Sequence, residues 1–203
     1  GKGLALRTAF DAALESGFTH AVTIDSDGQL DPAEIPALLA AAEQHPQSLI
    51  LGARDDHAPG YPKGSRVGRR VSNFLIRLES GLRVHDSQCG FRVYPLDLVR
   101  FARSRARRYG FETEVLTRAA WARGAVVEVP VTCDYPPDNQ RVSHFRPWVD
   151  SWRGVGMHAV LVSRALSPWP HAHWSGASAP ENRDRPPLWK RILASMNPIA
   201  AWR

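Results

Sequence analysis

The chain has 203 residues, 43% of them hydrophobic, with two cysteines and a formal charge of +6. That length suffices for one domain with a substantial core, or one domain and a tail. Two cysteines are too few for a disulfide scaffold, so a reducing compartment is expected, and no apolar run approaches the roughly 20 residues of a spanning helix. The positive charge implies attraction to anions without saying which. Lys occurs only at positions 2, 63 and 190, and a general coding bias explains the excess of Arg as well as phosphate binding does.

In chain order, Gly1-Lys2-Gly3 leads straight into a helical pattern of Leu6, Ala9, Phe10, Ala13 and Leu14 that Gly17 closes. A glycine-rich start before a helix is a candidate anion site, with Lys2 beside it. Val22 to Ile24 reads as a short buried strand, and Asp25-Ser26-Asp27-Gly28-Gln29 stands where it runs out. Side chains two apart in an extended chain point the same way, so Asp25, Asp27 and Gln29 offer oxygens to one hard cation such as Mg²⁺ or Mn²⁺. A strand-to-helix turn capped by Asp27 or Asp31 uses the same residues for structure alone. An EF-hand loop is excluded, because its glycine comes sixth and here it comes fourth. The Asp-x-Asp-Gly-Thr phosphatases come nearer, but they carry Thr where this chain has Gln29.

Pro32 opens a second helix with Ile35, Leu38 and Leu39, and Ser48 to Ala53 is a second apolar strand. The alternation argues for an α/β sheet whose ligands gather beyond the strands' carboxyl ends, where Asp25, Asp27 and Arg54 would lie. Residues 54–65, with Pro59, Gly60, Pro62 and Gly64, read as a mobile loop. Val67, Val71, Phe74, Leu75 and Leu78 mark an amphipathic helix whose start carries Arg66, Arg69 and Arg70, either a solvated basic face or a clamp for a phosphate.

Asp86-Ser87-Gln88-Cys89-Gly90-Phe91-Arg92 completes an ordered set of motifs. With Gly-Lys-Gly-x-Ala, Asp-x-Asp-Gly-Gln-x-x-Pro, Gly52-Ala53-Arg54, the Arg66 to Asn73 helix start, Phe111-Glu112-Thr113-Glu114 and Val127-Glu128-Val129-Pro130-Val131, the chain resembles the inverting family 2 glycosyltransferases from Gly1 to about Leu166. The likeness is to the branch related to dolichyl-phosphate mannosyltransferase and its bacterial polyprenyl-phosphate relatives. It implies an α/β fold of the GT-A type, a three-layer α/β/α sheet. It also implies that the family's first strands, which read the nucleotide base, would precede Gly1, so a sheet lacking them and little transferase activity are expected.

The resemblance further implies a nucleotide-sugar donor held through a metal on Asp25, Asp27 and Gln29, the residues reached above from spacing. Lys2, Arg54, Arg66 and Arg141 fall on the phosphate-binding side. Arg70 matches an acceptor-phosphate position, and Asp86 an acidic residue of the acceptor site. A hydroxyl acceptor would need Asp86 as general base, whereas a polyprenyl phosphate would need none. Residues 1–166 are expected to form the catalytic domain, 167–187 a linker rich in Pro, Ser, His and Trp, and 188–203 a short basic and apolar tail. His171 and His173 bring no further metal ligands into view. Trp148, Trp152, Val155, Ala159, Val162 and Leu166, with Arg146, Arg153 and Arg164 nearby, suit either a peripheral helix at the cytoplasmic face of a membrane or a helix packed on the core. The expected location is cytoplasmic and nucleic acid is not an expected partner, since no stacking aromatics interleave the basic run at 66–70. Two other readings stay open, an Asp-x-Asp phosphatase with Asp25 as nucleophile and a non-catalytic binding module.

Overall fold

A computed structural model describes residues 1–58, 60–106, 108, 110–135, 147–167 and 169–174, without the side chains of 63, 147–151 and 153. Helix α1 (Lys2–Glu15) ends as its sequence predicts: Phe18 N–H bonds to Ala13 O and Gly17 N–H to Leu14 O, with Gly17 at φ 82°, a left-handed closure that glycine adopts at no steric cost. Strand β1 (His20–Thr23) stops just short of Ile24. After the acidic turn, Asp31 accepts a hydrogen bond from Ala33 N–H and caps a 3₁₀ turn, Pro32–Glu34, that runs into α2 (Ile35–Gln44). Strand β2 (Ser48–Arg54) and α3 (Lys63–Ser80) follow, then β3 (Arg92–Pro95), α4 (Leu96–Ala102), α5 (Gly110–Trp121), β4 (Ala125–Val131) and α6 (Pro147–Leu166).

The sheet order is β1-β3-β2-β4, with β3 antiparallel to both neighbours and β2 parallel to β4 in register from Ser48↔Ala125 to Arg54↔Val131. Because β2 is central, its side chains are buried on both faces. Leu49 and Leu51 meet Phe10, Ile76, Phe111, Val115 and Leu116 from α1, α3 and α5, while Ile50 faces Leu38 and Ala42 of α2 with Phe91, Val93 and Val131. Two cores on one sheet give the three-layer α/β/α fold of the GT-A type. Each fully buried Leu or Ile contributes about 1.5–3 kcal/mol relative to exposure, which favours this arrangement over any register that turns one face outward.

Three segments differ from their sequence reading. The loop after Arg54 is pinned: Tyr61 is buried, and the Asp56 carboxylate and carbonyl are held by Arg69 and Arg66. Helix α3 turns its polar side inward, burying Arg69, Ser72, Glu79 and Ser80 around Ile76, while Val67, Val71 and Phe74 are 62%, 52% and 62% exposed. The start of the expected linker lies against α5: His171 stacks on Trp121 at 4.3 Å, and Trp174 N–H donates to Ala122 O at 3.0 Å. Helix α6 packs on α3 and α5. It buries Leu161 and Ala165 and bonds His158 to the buried Glu79 at 2.6 Å, leaving Trp152, Val155 and Leu166 outward. The side chains of Trp148 and Arg153, together with Arg146 and residues 175–203, lie outside what is described.

Candidate active site

The acidic turn hangs from the end of β1. Gly28, at φ 77°, lets the chain reverse, and the Asp27 carboxylate accepts from Gln29 N–H at 3.1 Å. Gln29 O accepts from Asp134 N–H at 2.8 Å, and Leu30 bridges Cys133, so the turn is tied to the chain leaving β4. Asp25 sits against Gly90, where any Cβ would collide with its carboxylate. The Lys2 ammonium donates to Asp25 and lies 3.0 Å from Glu112 of α5. Burial alone would lower the Lys2 pKa, but the Glu112 and Asp25 carboxylates outweigh it and raise it.

Asp25 and Asp27 bring carboxylates and Gln29 a neutral amide oxygen, all hard donors, and Gly90 keeps the space beside Asp25 clear. Donors of that chemistry suit a hard divalent ion whose shell substrate phosphate and water would complete. Among the described residues no group of three or more His, Cys, Asp or Glu is placed to hold a metal ion.

The second cluster lies at the carboxyl end of β2. Asp86 is fully buried, and both its oxygens are engaged: Arg54 Nε donates to Oδ2 at 2.6 Å and an Arg54 terminal nitrogen to Oδ1 at 3.0 Å, with Gln88 N–H on Oδ1 at 3.1 Å. Arg69 approaches the same carboxylate at 3.3 Å, bonds Asp56 at 2.9 Å and Arg54 O at 2.9 Å, and lies 5.0 Å over the Tyr61 ring. Burial opposes the Arg54 charge, but the Asp86 pair outweighs that and raises its pKa; the hydrogen bond from Arg69 lowers that of Asp56. Beneath the loop, Glu128 accepts from the backbone N–H groups of His85 and Asp86.

Above this cluster opens a cavity of about 560 Å³, whose wall includes Arg54, Asp56, Arg69, Arg70, Asn73 and Thr132. Arg70 is exposed at its edge and makes no hydrogen bond among the described residues. Arg66 stacks over Tyr61 at 5.6 Å and bonds Asp56 O.

Of the site residues expected from sequence, the structure gathers Lys2 with Asp25, and places Arg54 and Arg70 on one cavity wall with Asp86 buried behind Arg54; Asp27 and Gln29 stay on the turn, and Arg141 lies outside the described residues. Sequence reasoning offered Arg69 only as one arginine of a basic helix start, and gave Gly90, Glu112 and Glu128 no role of their own within their motifs. The signal for Arg69 was present: it shares the phase of Ser72, Ile76 and Glu79, the face that α3 buries. Cys89 is inert, since burial pushes its thiol up to about 12.

The mixed sheet with helices on both faces is a fold of the GT-A type. Residues 1–101 match the family described as Glycosyl transferase family 2, and the chain belongs to that family. It is 29% identical over 140 residues to the undecaprenyl-phosphate mannosyltransferase of Micrococcus luteus, covering 65% of this chain and 56% of that protein. The polyprenol monophosphomannose synthase of Mycolicibacterium smegmatis is 30% identical, with 65% and 52% covered. The UDP-N-acetylglucosamine–dolichyl-phosphate N-acetylglucosaminyltransferase of Methanococcus voltae is 29% identical, with 66% and 56% covered. The chain thus spans about half the length of these relatives.

Proposed function

We propose that this chain is the catalytic portion of an inverting transferase that moves a sugar from a nucleotide-diphospho-sugar to a polyprenyl phosphate. The observation that carries the choice of acceptor is the state of Asp86. A hydroxyl acceptor needs a free carboxylate to take its proton, and Asp86 is buried with both oxygens on donors. A phosphate is already ionised near neutral pH and needs only to be held. Arg70 at the cavity edge, backed by Arg54 and Arg69, does that as a cationic clamp.

In this reading a phosphate oxygen of the acceptor attacks the anomeric carbon from the face opposite the diphosphate. The new carbon–oxygen bond forms as the bond to the leaving diphosphate breaks, inverting the configuration. Asp25, Asp27 and Gln29 would hold Mg²⁺ or Mn²⁺, which supplies positive charge to the departing diphosphate. Arg54, Arg69 and Asp86 keep the acceptor side rigid, so the nucleophile is oriented before reaction. Arg66 and Arg141 are assigned to the same phosphates on the family likeness.

A lipid acceptor calls for a membrane contact, and no described helix is long and apolar enough to cross one. Helix α3 supports a peripheral contact, because its outward stripe of Val67, Val71 and Phe74 sits beside Arg70, which reaches the cavity. We assign the protein to a peripheral position on a membrane surface on this basis. The test is a transfer assay with a panel of labelled nucleotide-sugars and either a polyprenyl phosphate or the matching polyprenol. Product is expected only from the phosphate, in a divalent-dependent manner that Asp27→Ala removes. Product from the polyprenol alone would overturn the acceptor, and metal-independent turnover untouched by Asp27→Ala would overturn the donor side.

A further inference from the structure

We propose that Lys2 is a resident cation of the metal site: its ammonium occupies Asp25 until a divalent ion arrives, and Glu112 is where it rests afterwards. The inference depends on Asp25 being a metal ligand, as proposed above. It starts from a position that is full in one sense and incomplete in another. The ammonium donates to Asp25, yet it also stands 3.0 Å from an oxygen of Glu112, whose side chain is only 9% exposed. That Glu112 oxygen has no hydrogen bond in good geometry. The nearby Arg92 guanidinium adds positive charge but no hydrogen bond to that oxygen: its three nitrogens donate to the carbonyl oxygens of Cys89, Glu112 and Ser87 at 2.7, 2.9 and 2.7 Å. Glu112 is therefore a buried carboxylate whose partner is a lysine it does not wholly hold.

This arrangement stores one positive charge between two carboxylates. When a divalent ion lands on Asp25 and Asp27, a neighbouring ammonium is repelled at short range. The lysine stem is flexible and rooted in the first turn of α1, so a small rotation carries the ammonium fully onto Glu112 and improves a bond that is poor without metal. Loading is thus an exchange of cations on Asp25, and the buried Glu112 keeps the displaced one from being lost to solvent. Lys2 and Glu112 act as positioning residues, setting how firmly the turn holds metal before substrate is present.

The two members of the pair have opposite effects in this scheme, which separates it from a merely structural role. Lys2→Met removes the competitor and should tighten Mn²⁺ binding by at least about tenfold; Glu112→Gln removes the resting place and should weaken it by a similar factor. Mn²⁺ affinity is read by electron paramagnetic resonance on the whole chain. A second readout uses the chain's three lysines, at 2, 63 and 190: in ¹⁵N-lysine protein, the Nζ signal lost in Lys2→Met identifies Lys2. That signal should move on adding Mg²⁺ and stay still in Asp25→Asn. Lys2→Met and Glu112→Gln shifting Mn²⁺ affinity in the same direction, or a Lys2 signal that ignores Mg²⁺ while Mn²⁺ binds, would overturn the proposal. Absence of Mn²⁺ binding in every one of these proteins, Lys2→Met included, would overturn the metal assignment beneath it as well.

Discussion

Asp86 is held by two arginines in a place where none of the three is free to move, and this makes it a structural charge as much as a functional one. A neutral amide there would leave Arg54 and Arg69 buried against a weaker acceptor. Asp86→Asn is therefore expected to lower unfolding free energy by about 3–5 kcal/mol, measured by urea denaturation. Gly90 has the opposite character. A methyl group at that position strikes the Asp25 carboxylate, so Gly90→Ala should weaken Mn²⁺ binding roughly 10- to 100-fold, read by titration, with a smaller effect on the denaturation midpoint than Asp86→Asn. At this scale legibility followed locality. Asp25, Asp27 and Gln29 could be proposed together because they stand within five residues of chain. Arg69 and Arg70 are adjacent and chemically identical, and only the packing of α3 decides which one is buried beside Asp86 and which opens onto the cavity.

Elements behaved similarly. The start and stop of α1 and the two strands flanking α2 were visible in local periodicity and capping, whereas Val127 to Val131 entered only as a motif of the family likeness. The four residues of β3 show no period of their own, and their placement between β1 and β2, running against both, is set by long-range pairing that no local pattern records. The segment at 169–174 read as linker by composition, although its aromatic residues dock on α5. Its attachment is pH-sensitive in a stated direction. Burial pushes the His171 imidazole down to about 4, below its unfolded value of about 6.5. Neutral His171 therefore contributes its full share above about pH 6.5, and the contribution is lost as pH falls through about 4. Tryptophan fluorescence should report release of the segment over that window, and His171→Phe, which keeps a ring on Trp121, should remove the transition.

For the whole molecule, the decisive feature is that its apolar residues are not all inside. Helix α3 buries its polar side and offers Val67, Val71 and Phe74 to the exterior, and α6 adds Trp152 and Val155. The sequence displayed the amphipathic pattern but not its sense, since periodicity locates an apolar face without saying whether it meets a core or a lipid. With a net charge of +6, the expected outcome is flotation with vesicles containing anionic lipid and little with neutral ones. Val71→Asp combined with Phe74→Glu should abolish flotation without changing thermal stability. Vesicle binding that survives the double substitution would assign the contact to another surface.

The loop from Asp86 to Gly90 has a hand in both halves of the site: its first residue fixes the arginines of the acceptor cavity, and its last makes room for Asp25. Arg92 clamps the loop's carbonyls from below. The loop therefore acts as a gauge block between donor and acceptor, setting their spacing by its own length. An inserted or deleted residue in it would leave each half chemically complete and the two out of reach of one another.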